Sequence, residues 1–287
     1  METTELGLVV AQQLTGIEDL HYGFWDEDAK PEVSDFFEAQ NRYSEFVMSN
    51  ICDAVQDKSA RVLDVGCGTG IMLSRLLESG YLADGVIPSA TLKDQVDQRV
   101  SSLNVDYKPK IFDCFFEDFP GSERNQQYDL VYFSESFQYI PMAENFRVIK
   151  SLLKPGGKIL ICDFFRTGND GDGGPGDGSM GGGHPLSEFY EYIKDDFEIL
   201  KDQDITKNVS PSLELLNDIL MNRLYPAIQS FDAFFKAKYS LLSRLVKFYL
   251  RKKLKRLKFK YFSGYRSKPV YERYKTYHMI VLKYKDL

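Results

Sequence analysis

The chain has 287 residues, of which 43% are hydrophobic and 14% aromatic, so it can bury a substantial core and is not a disordered polymer. Its formal net charge is −6 and its isoelectric point is about 5.3, which argues against a protein whose whole surface binds nucleic acid. The apolar stretch at residues 6–14 is too short and too polar to cross a membrane, and no secretory signal opens the chain. We therefore expect a cytoplasmic protein.

The cysteines are widely spaced and form neither a CxxC pair nor a cluster with histidine. They are Cys52, Cys67, Cys114 and Cys162. This spacing predicts reduced thiols rather than a disulfide framework, and it gives no reason to expect a metal site.

Short apolar runs alternate with helical patterns from Arg61 to Phe165. The runs "RVLDVG", "YLADGVI", "YDLVYFS" and "KILICDFF" are typical of strands, and amphipathic segments such as "IMLSRLLESG" and "MAENFRVIKSLL" separate them. "KPGG" is predicted to be the turn between the second of these helices and the strand that follows. The alternation predicts a mostly parallel sheet that is covered on both faces.

The flanking regions break this rhythm and suggest a division of the chain. We predict a mainly helical N-terminal segment over residues 1–60 and the sheet-forming core over 61–205. A helical cap over 206–262, continuously helical from Ser210 to about Lys258, precedes a return to the core sheet over 263–287. The tract at 168–183, which is dense in glycine and aspartate, is predicted to be a lid or a plain linker.

The stretch "VLDVGCGTG" carries the sharpest chemical signal. Within it, Asp64 stands at the end of a predicted strand. Gly66, Gly68 and Gly70 then allow a tight turn that brings bare backbone against a ligand, at the start of a helix. A dinucleotide-binding turn reads G-x-G-x-x-G, but Ile71 stands at that third glycine position. No Lys-Ser/Thr pair follows, which excludes a P-loop.

Three further segments follow in an order that resembles a known family. "FFEDFP", "YDLVYFSESFQYI" and "LLKPGGKILICD" join "VLDVGCGTG", and the four motifs are similar to those of class I S-adenosylmethionine-dependent methyltransferases. The resemblance covers about residues 61–165. It implies a Rossmann-like, doubly wound, mostly parallel seven-stranded α/β sheet, with S-adenosylmethionine (SAM) as the cofactor.

The resemblance assigns the methionine end of SAM to the first and third of these motifs. Asp64 and the backbone of Gly66 and Gly68 would hold this end of the cofactor. Cys67 is part of the same turn, where we interpret it as a small filler. The backbone at Ser134 would receive the ammonium group.

The adenine end is assigned to the "FFEDFP" segment. Asp118 matches the acidic residue that accepts a hydrogen bond from the adenine amino group, and Glu117 precedes it. Phe119 would pack on the face of the adenine ring. The alternative for Asp118 is a solvated loop carboxylate.

The stretch "GVIPSATL" departs from the family pattern. Related sequences usually read like "GVDPS", in which the acidic residue binds both ribose hydroxyls, but here Ile87 precedes Pro88. A hydrogen bond to a charged acceptor is worth roughly 1.5–3 kcal/mol. Asp84 lies on the opposite face of the strand and is a weak substitute. Ile87 therefore leaves three alternatives, namely weaker SAM binding, a different ligand or a degenerate domain.

Methyl transfer requires a positioned nucleophile and, where that nucleophile is acidic, a base. Small-molecule members of the family often carry histidines just after the fourth strand, where this chain has Gln138 and Tyr139. The remaining catalytic candidates are Glu135, Tyr139 and His21. Tyr22, within "HYGFW", resembles an N-terminal tyrosine that folds over the cofactor, and ordinary aromatic packing is its alternative.

Three other polar side chains are weaker candidates. Gln40 is a lesser candidate of the same type as Tyr22. His184 is expected to be a solvated loop histidine, although it could reach the site. His278 is expected to be a structural residue of the last strand.

The run "KFYLRKKLKRLKFKYFSGYRSK" is basic in an otherwise acidic chain. With Leu241, Leu245, Phe248 and Leu254 it predicts an amphipathic helix whose basic part spans residues 247–260. A solvated cationic face, an anion site for the substrate, and transient docking on an acidic membrane or a carrier protein are all compatible with this pattern. We do not expect a nucleic-acid partner, because "SESF" lacks the proline and stacking aromatic of base-methylating enzymes.

These features predict a SAM-dependent methyltransferase that acts on a small organic molecule of specialised or lipid-related metabolism. Whether the acceptor atom is O, N or C is left open. The alternative is a non-methylating protein of the same fold that binds an adenosyl ligand or a partner.

Overall fold

A seven-stranded sheet organises the computed structural model, which describes residues 21–27, 29–169, 182–264 and 266–285. Its strands are β1 (Arg61–Val65), β2 (Leu82–Val86), β3 (Ile111–Phe112), β4 (Tyr128–Ser134), β5 (Leu153–Arg166), β6 (Phe197–Asp204) and β7 (Lys275–Tyr284). Their order is β3–β2–β1–β4–β5–β7–β6, and β7 runs antiparallel to both of its neighbours while the other pairs are parallel. The predicted mostly parallel α/β sheet is confirmed.

Helices cover both faces of the sheet. Successive strand residues point to opposite sides, and here both sides carry apolar side chains that must be buried. In β4, Leu130 and Tyr132 belong to one buried cluster and Val131 and Phe133 to the other. The helices are α1 (Phe36–Ala54), α2 (Ile71–Glu78), α3 (Ala90–Ser101), α4 (Met142–Leu152), α5 (Leu186–Ile193), α6 (Thr206–Val209), α7 (Pro211–Asp218), α8 (Tyr225–Lys238), α9 (Ser240–Phe262) and α10 (Lys268–Tyr274). Helices α1, α2 and α3 pack on the first cluster, and α4 and α5 pack on the second.

The "KPGG" segment lies inside β5 and is not the separate turn that its proline and glycines predict. Tyr128 of β4 pairs with Leu153, whereas Leu130 pairs with Lys158. Two steps along β4 therefore match five steps along β5, and the extra residues form a bulge.

The described chain begins with a non-helical stretch inside the segment that is predicted to be mainly helical. No helix forms over residues 21–27 and 29–32, although α1 follows as expected. The backbone of this segment bonds to other elements instead: Phe24 N donates to Ala39 O of α1, and Trp25 N donates to Asn208 O of α6, both at 2.8 Å. Tertiary contacts thus replace the hydrogen bonds of a helix. Residues 1–20 lie outside the described part.

Helices α6 to α10 lie between β6 and β7, where the sequence predicts a cap. The expected continuous helix is interrupted by a π-helical segment at Ile219–Leu224 and by non-helical backbone at Tyr239, whose φ is −132° and ψ 55°. α10 carries the helical region on to Tyr274, beyond the predicted boundary at residue 262. The domain boundaries stay a prediction, as does the role of the glycine-rich tract, most of which lies outside the described residues.

Helices α8 and α9 form an antiparallel pair, which we call the hairpin (225–262). Asp232 of α8 bonds Lys247 of α9 at 2.7 Å, and the rings of Tyr225 and Phe262 stack with centroids 5.2 Å apart. None of the helices in the described residues is apolar over the length needed to cross a bilayer.

Candidate functional site

The glycine turn joins β1 to α2 at the carboxyl ends of the parallel strands, which is where open α/β sheets bind ligands. Gly66, Gly68 and Gly70 have φ angles of 82°, 54° and 83°, in the left-handed region that favours glycine. The N–H groups of Gly66 and Cys67 donate to the Val86 carbonyl of β2 at 2.9 and 3.1 Å. These bonds fix the turn to the neighbouring strand.

The turn also packs closely against the loop that follows β4. A Cβ atom added to Gly66 would lie 2.5 Å from the Cβ of Ser136, so no larger residue fits without movement. The Ser136 hydroxyl donates to the Val65 carbonyl. Asp64 is buried just before this turn. The turn therefore presents backbone without side chains, beside a buried carboxylate, which suits a polar ligand that lies flat on it.

The end of β2 has no carboxylate at the position where the resemblance predicts a ribose ligand. Ile87 is 6% exposed, and its N–H donates to the Phe112 carbonyl at 3.0 Å. Pro88 is exposed, and the next residue, Ser89, caps α3 by accepting from Leu92 N at 3.3 Å.

The Asp84 carboxylate already accepts hydrogen bonds from four other groups, so it does not serve as a substitute ligand for the ribose. Its buried oxygens accept from Arg61 at 2.7 Å, from the Tyr107 hydroxyl at 2.8 Å, from the Tyr128 hydroxyl at 2.9 Å and from Lys110 N at 2.8 Å. This network joins β1, β2 and β4 at the amino-terminal side of the sheet and has a structural role.

The adenine candidates lie on a short 3₁₀ helix, Phe116–Asp118, after β3. Asp118 is exposed and Glu117 is half-buried. The ring of Phe119 is 1% exposed and packs on Phe112 with centroids 4.5 Å apart. Their roles toward adenine stay predictions.

The loop after β4 places Glu135 at the centre of a polar cluster. Its φ is 55°, a left-handed conformation that is uncommon for a residue other than glycine and occurs often at functional sites. Oε1 of Glu135 accepts from the backbone N–H of Tyr22 at 2.9 Å and from the Tyr277 hydroxyl at 3.0 Å. The Tyr277 hydroxyl also bonds the Tyr43 hydroxyl at 2.7 Å, and that group bonds Ser134 Oγ at 3.0 Å.

The residues of "HYGFW" cover this cluster. The Tyr22 ring packs edge-on against Tyr277 with centroids 6.2 Å apart, and the His21 ring stacks on Tyr43 at 4.6 Å. His21 Nε2 lies 3.2 Å from Ser44 Oγ. Gln40 supports the segment by donating to the His21 carbonyl at 2.8 Å. The structure therefore brings His21, Tyr22, Ser134 and Glu135 together.

Burial controls the protonation of the tyrosines around Glu135. Burial, and then the Glu135 charge, raise the pKa of Tyr22 and of Tyr277. Burial is also the main cause of the raised pKa of Tyr43. These hydroxyls stay protonated at neutral pH, so Tyr277 is a hydrogen-bond donor to Glu135 and not a base.

Tyr139, His184 and His278 are the remaining histidine and tyrosine candidates. Tyr139 is 76% exposed, on the 3₁₀ helix Phe137–Tyr139, and burial, followed by the Glu135 charge, raises its pKa. His184 is half-buried rather than solvated, because its Nε2 bonds the Ile140 carbonyl at 2.9 Å and ties the start of α5 to the loop after β4. His278 is structural, as expected, since its Nδ1 lies 2.7 Å from Asp202.

Three residues of this site escaped sequence reasoning. Tyr43 and Tyr277 lie in different elements far from Glu135 in the chain, and no local motif marks them. Asp163, the last residue of the quoted fifth-strand motif, accepts from Gln138 N at 3.0 Å and so supports the loop after β4. A charged residue inside the apolar run "KILICDFF" was the signal that could have identified it.

A cavity of about 210 Å³ opens beside the glycine turn, between α1 and the start of α2. Two arginines contribute to its walls, which consist of His21, Phe37, Gln40, Asn41, Ser44, Ile71, Arg75 and Arg99. The cavity thus connects the N-terminal segment with the first turn of the helix after the glycines.

A family model described as a methyltransferase domain matches residues 38–210, which is more than half of the chain. The chain belongs to this methyltransferase-domain family. The matched part extends from α1 past α6 and includes the glycine turn, Asp64 and Glu135. The resemblance to class I methyltransferases that the four motifs carry is confirmed.

A curated relative of this methyltransferase-domain protein is similar over part of its length. The ubiquinone biosynthesis O-methyltransferase of Pseudomonas fluorescens is 26% identical over 160 residues, which cover 54% of this chain and 63% of the relative. The chain therefore spans less than two thirds of the length of that relative.

Solved structures share the fold across nearly the whole chain. Geranyl diphosphate C-methyltransferase from Streptomyces coelicolor is 17% identical, with a TM-score of 0.65 over 96% of this chain and 91% of that one. The [4+2]-cyclase SpnF is 16% identical, with a TM-score of 0.64 over 98% and 93%. At such identities the likeness shows the fold alone. The two proteins share this fold, although one is named as a methyltransferase and the other as a cyclase.

Proposed function

We propose that this protein transfers a methyl group from SAM to a small organic acceptor. The observation that carries the proposal is the glycine turn with buried Asp64, which lies at the same edge of the sheet as the Glu135 carboxylate. The family and the methyltransferases named among the similar proteins support it. An acceptor from specialised or lipid-related metabolism and a cytoplasmic location remain part of the proposal.

We expect residues of the glycine turn and of the segment after β3 to hold SAM at its two ends. Asp64, the backbone of Gly66 and Gly68, and the carbonyl of Ser134 would hold the amino-acid end, with Cys67 filling the turn and Tyr22 covering it. Asp118 would accept from the adenine amino group, in a segment formed with Glu117 and Phe119. The ribose is the exception, because Ile87 cannot accept a hydrogen bond from either hydroxyl.

Bound SAM supplies an electrophilic methyl group on a sulfonium. Glu135 is the proposed base, since a carboxylate can accept the proton that an acidic acceptor loses on methylation. Tyr22 N and the Tyr277 hydroxyl hold Oε1 of this carboxylate in place. Positioning of the acceptor and exclusion of water by the N-terminal segment supply much of the remaining rate enhancement. His21 and Tyr139 are the secondary candidates.

Calorimetric titration with SAM and with S-adenosylhomocysteine tests the proposal directly. We expect both ligands to bind, and we expect acceptor-dependent formation of S-adenosylhomocysteine across a panel of small phenols, amines and acids. No heat of binding for either ligand at millimolar concentration would exclude the proposed function. Ile87 favours a second candidate, a non-methylating protein that binds an adenosyl ligand, and SAM binding without turnover on the whole panel would support that alternative.

The substitution Ile87→Asp tests the position of the ribose. If Ile87 faces it, a new carboxylate restores hydrogen bonds of roughly 1.5–3 kcal/mol each, and SAM should bind about tenfold or more tightly. Ile87→Leu is the matched control and should leave the affinity unchanged. Equal or weaker affinity in a folded Ile87→Asp variant would show that another group contacts the ribose.

The substitution Glu135→Gln tests the proposed base. The amide keeps the size of the side chain but cannot accept the proton, so the initial rate of methylation should fall about 10²- to 10⁴-fold. The dissociation constant of SAM should change little. Tyr139→Phe is the control for the same loop, and a rate loss in this variant equal to that of Glu135→Gln would shift the role of the base to Tyr139.

The predicted contact of residues 247–260 with a membrane surface or a carrier protein is also a proposal. Neither the family match, which ends at residue 210, nor the fold addresses it.

A further inference from the structure

The hairpin exposes far more apolar surface than its neighbours in the fold. Among its described side chains, Ser243 alone is buried. Large apolar side chains that are 45% or more exposed cluster where α8 meets α9, and they are Phe231, Phe234, Tyr239, Leu241, Leu242, Leu245, Phe248 and Tyr249. We call this region the apolar tip (231–249). Contiguous exposed apolar surface of this kind marks an interaction site.

Cationic side chains continue the same surface along α9. Leu241, Leu245 and Phe248 are followed by Lys252 and Arg256, each three or four residues from the last, so they share one face of the helix. We call residues 251–258 the basic stem, and its lysines and arginines are all exposed. One face of α9 therefore changes from apolar to cationic along its length.

Charge is strongly divided between the hairpin and the rest of the chain. Residues 225–262 contain eleven lysines and arginines and one acidic residue, Asp232, which gives a formal charge of +10. Since the whole chain carries −6, the remainder carries −16. The hairpin is thus a cationic element on an anionic body, and an anionic surface would attract it while repelling the body.

We propose that the hairpin docks the protein on an anionic lipid surface. The apolar tip enters the boundary between headgroups and acyl chains, and the basic stem binds lipid phosphates and carboxylates. A lipid surface covers the tip and the stem together, whereas nucleic acid would match the stem and leave the tip in water. This inference rests on the proposed function and extends it. It names an anionic lipid surface as the place where the enzyme encounters a lipid-related acceptor.

Co-sedimentation of the full chain with vesicles tests the docking. We expect binding to vesicles of phosphatidylcholine with about one third phosphatidylglycerol, and little binding to pure phosphatidylcholine. A stem variant that combines Arg251→Gln, Lys252→Gln, Lys253→Gln, Lys255→Gln and Arg256→Gln should partition at least about tenfold less. A tip variant, Leu245→Ser with Phe248→Ser, should also lose about tenfold or more, because its apolar contact is removed.

A charge-matched control replaces five exposed cations outside the hairpin by glutamine, namely Lys30, Lys108, Arg147, Lys194 and Lys207. It removes the same net charge and should keep vesicle binding near that of the parent. Equal partitioning of the parent and the stem variant would overturn the proposal, and so would unchanged binding of the tip variant, which would indicate a non-specific polycation. A dimer that is lost in the tip variant, together with absent vesicle binding, would assign the hairpin to a second copy of the chain.

Calorimetry with SAM on the same proteins separates this inference from the proposed function. Vesicle binding requires neither the cofactor nor turnover. A chain that binds SAM but not vesicles contradicts the docking alone, and a chain that binds vesicles but not SAM contradicts the methyltransferase proposal alone.

Discussion

The sheet edge around the glycine turn and the hairpin are built in opposite ways. At the edge, side chains such as Asp64, Phe119 and Tyr277 are almost fully buried, and polar groups are held by partners from distant elements. In the hairpin, apolar side chains such as Phe248 and Leu245 lie in water at 72% and 67% exposure. The edge is stabilised by its own contacts, whereas the hairpin presents surface that only a partner can bury.

This difference predicts where substitutions should change the stability of the fold and where they should change binding. Burial of apolar area is the main driving force of folding, but most apolar side chains of the hairpin are not buried. Substitutions at the edge should therefore change the free energy of unfolding. Substitutions in the hairpin should leave it nearly unchanged and alter binding to a partner instead.

Two aspartate substitutions, one in the sheet and one in the hairpin, are expected to differ most in the free energy of unfolding that they cost. Asp84→Ala leaves the Arg61 charge and two tyrosine hydroxyls without their buried acceptor, and we expect a loss of about 3–5 kcal/mol in the free energy of unfolding. Asp232→Ala removes a half-exposed ion pair with Lys247 and should cost no more than about 1 kcal/mol. Urea unfolding of both variants measures the difference, and similar losses would show that the hairpin is as firmly packed as the sheet.

A pair of glycine substitutions gives the next contrast, within the core. Gly66→Ala combines a left-handed φ with a Cβ 2.5 Å from that of Ser136, and we expect a loss of roughly 2–4 kcal/mol. Gly121→Ala meets no atom within 4 Å and should be nearly neutral. The same unfolding measurement, with SAM titration of both variants, checks this. Unchanged SAM affinity in a folded Gly66→Ala protein would argue that the ligand does not lie on the turn.

The sequence predicts most of the sheet and the glycine turn because their determinants are local. Apolar runs mark the strands, and three glycines with Asp64 before them mark the turn. The polar cluster was only half predictable, because Tyr43 and Tyr277 join Glu135 through tertiary contacts that leave no local pattern. Within the region predicted to be mainly helical, residues 21–27 and 29–32 are not helical for the same reason, since their backbone partners lie on α1 and α6.

The hairpin shows a different limit of sequence reasoning. Its basic and apolar residues are compatible with a packed cap as well as with an exposed one, because periodicity alone does not tell which face a helix buries. The break at Tyr239 and the high exposure of the apolar tip are visible only in the structure.

The smallest predicted effect is on the pH dependence of stability. It is tested by comparing two lysines, one at the sheet edge and one in the hairpin. Lys275 is buried, donates to the Gly182 carbonyl at 2.5 Å and lies over the Phe164 ring. Burial, and then the Arg166 charge, lower its pKa from 10.5 to about 8, while Asp163 acts in the opposite direction. Between these two values the unfolded chain binds more protons than the native protein, so stability should rise with pH across that window.

From about pH 7.5 to about pH 9.5 this lysine alone should add about 2 kcal/mol to the free energy of unfolding. Below this window the native state must hold a buried ammonium, which is why the contribution is smallest there. Lys275→Met should remove that part of the pH slope in urea unfolding, whereas Lys252→Met, at an exposed hairpin position, should leave the slope as it is in the parent. An identical slope in the parent and in Lys275→Met would mean that Lys275 stays hydrated, and the contrast between a buried edge and an exposed hairpin would then not extend to their charged groups.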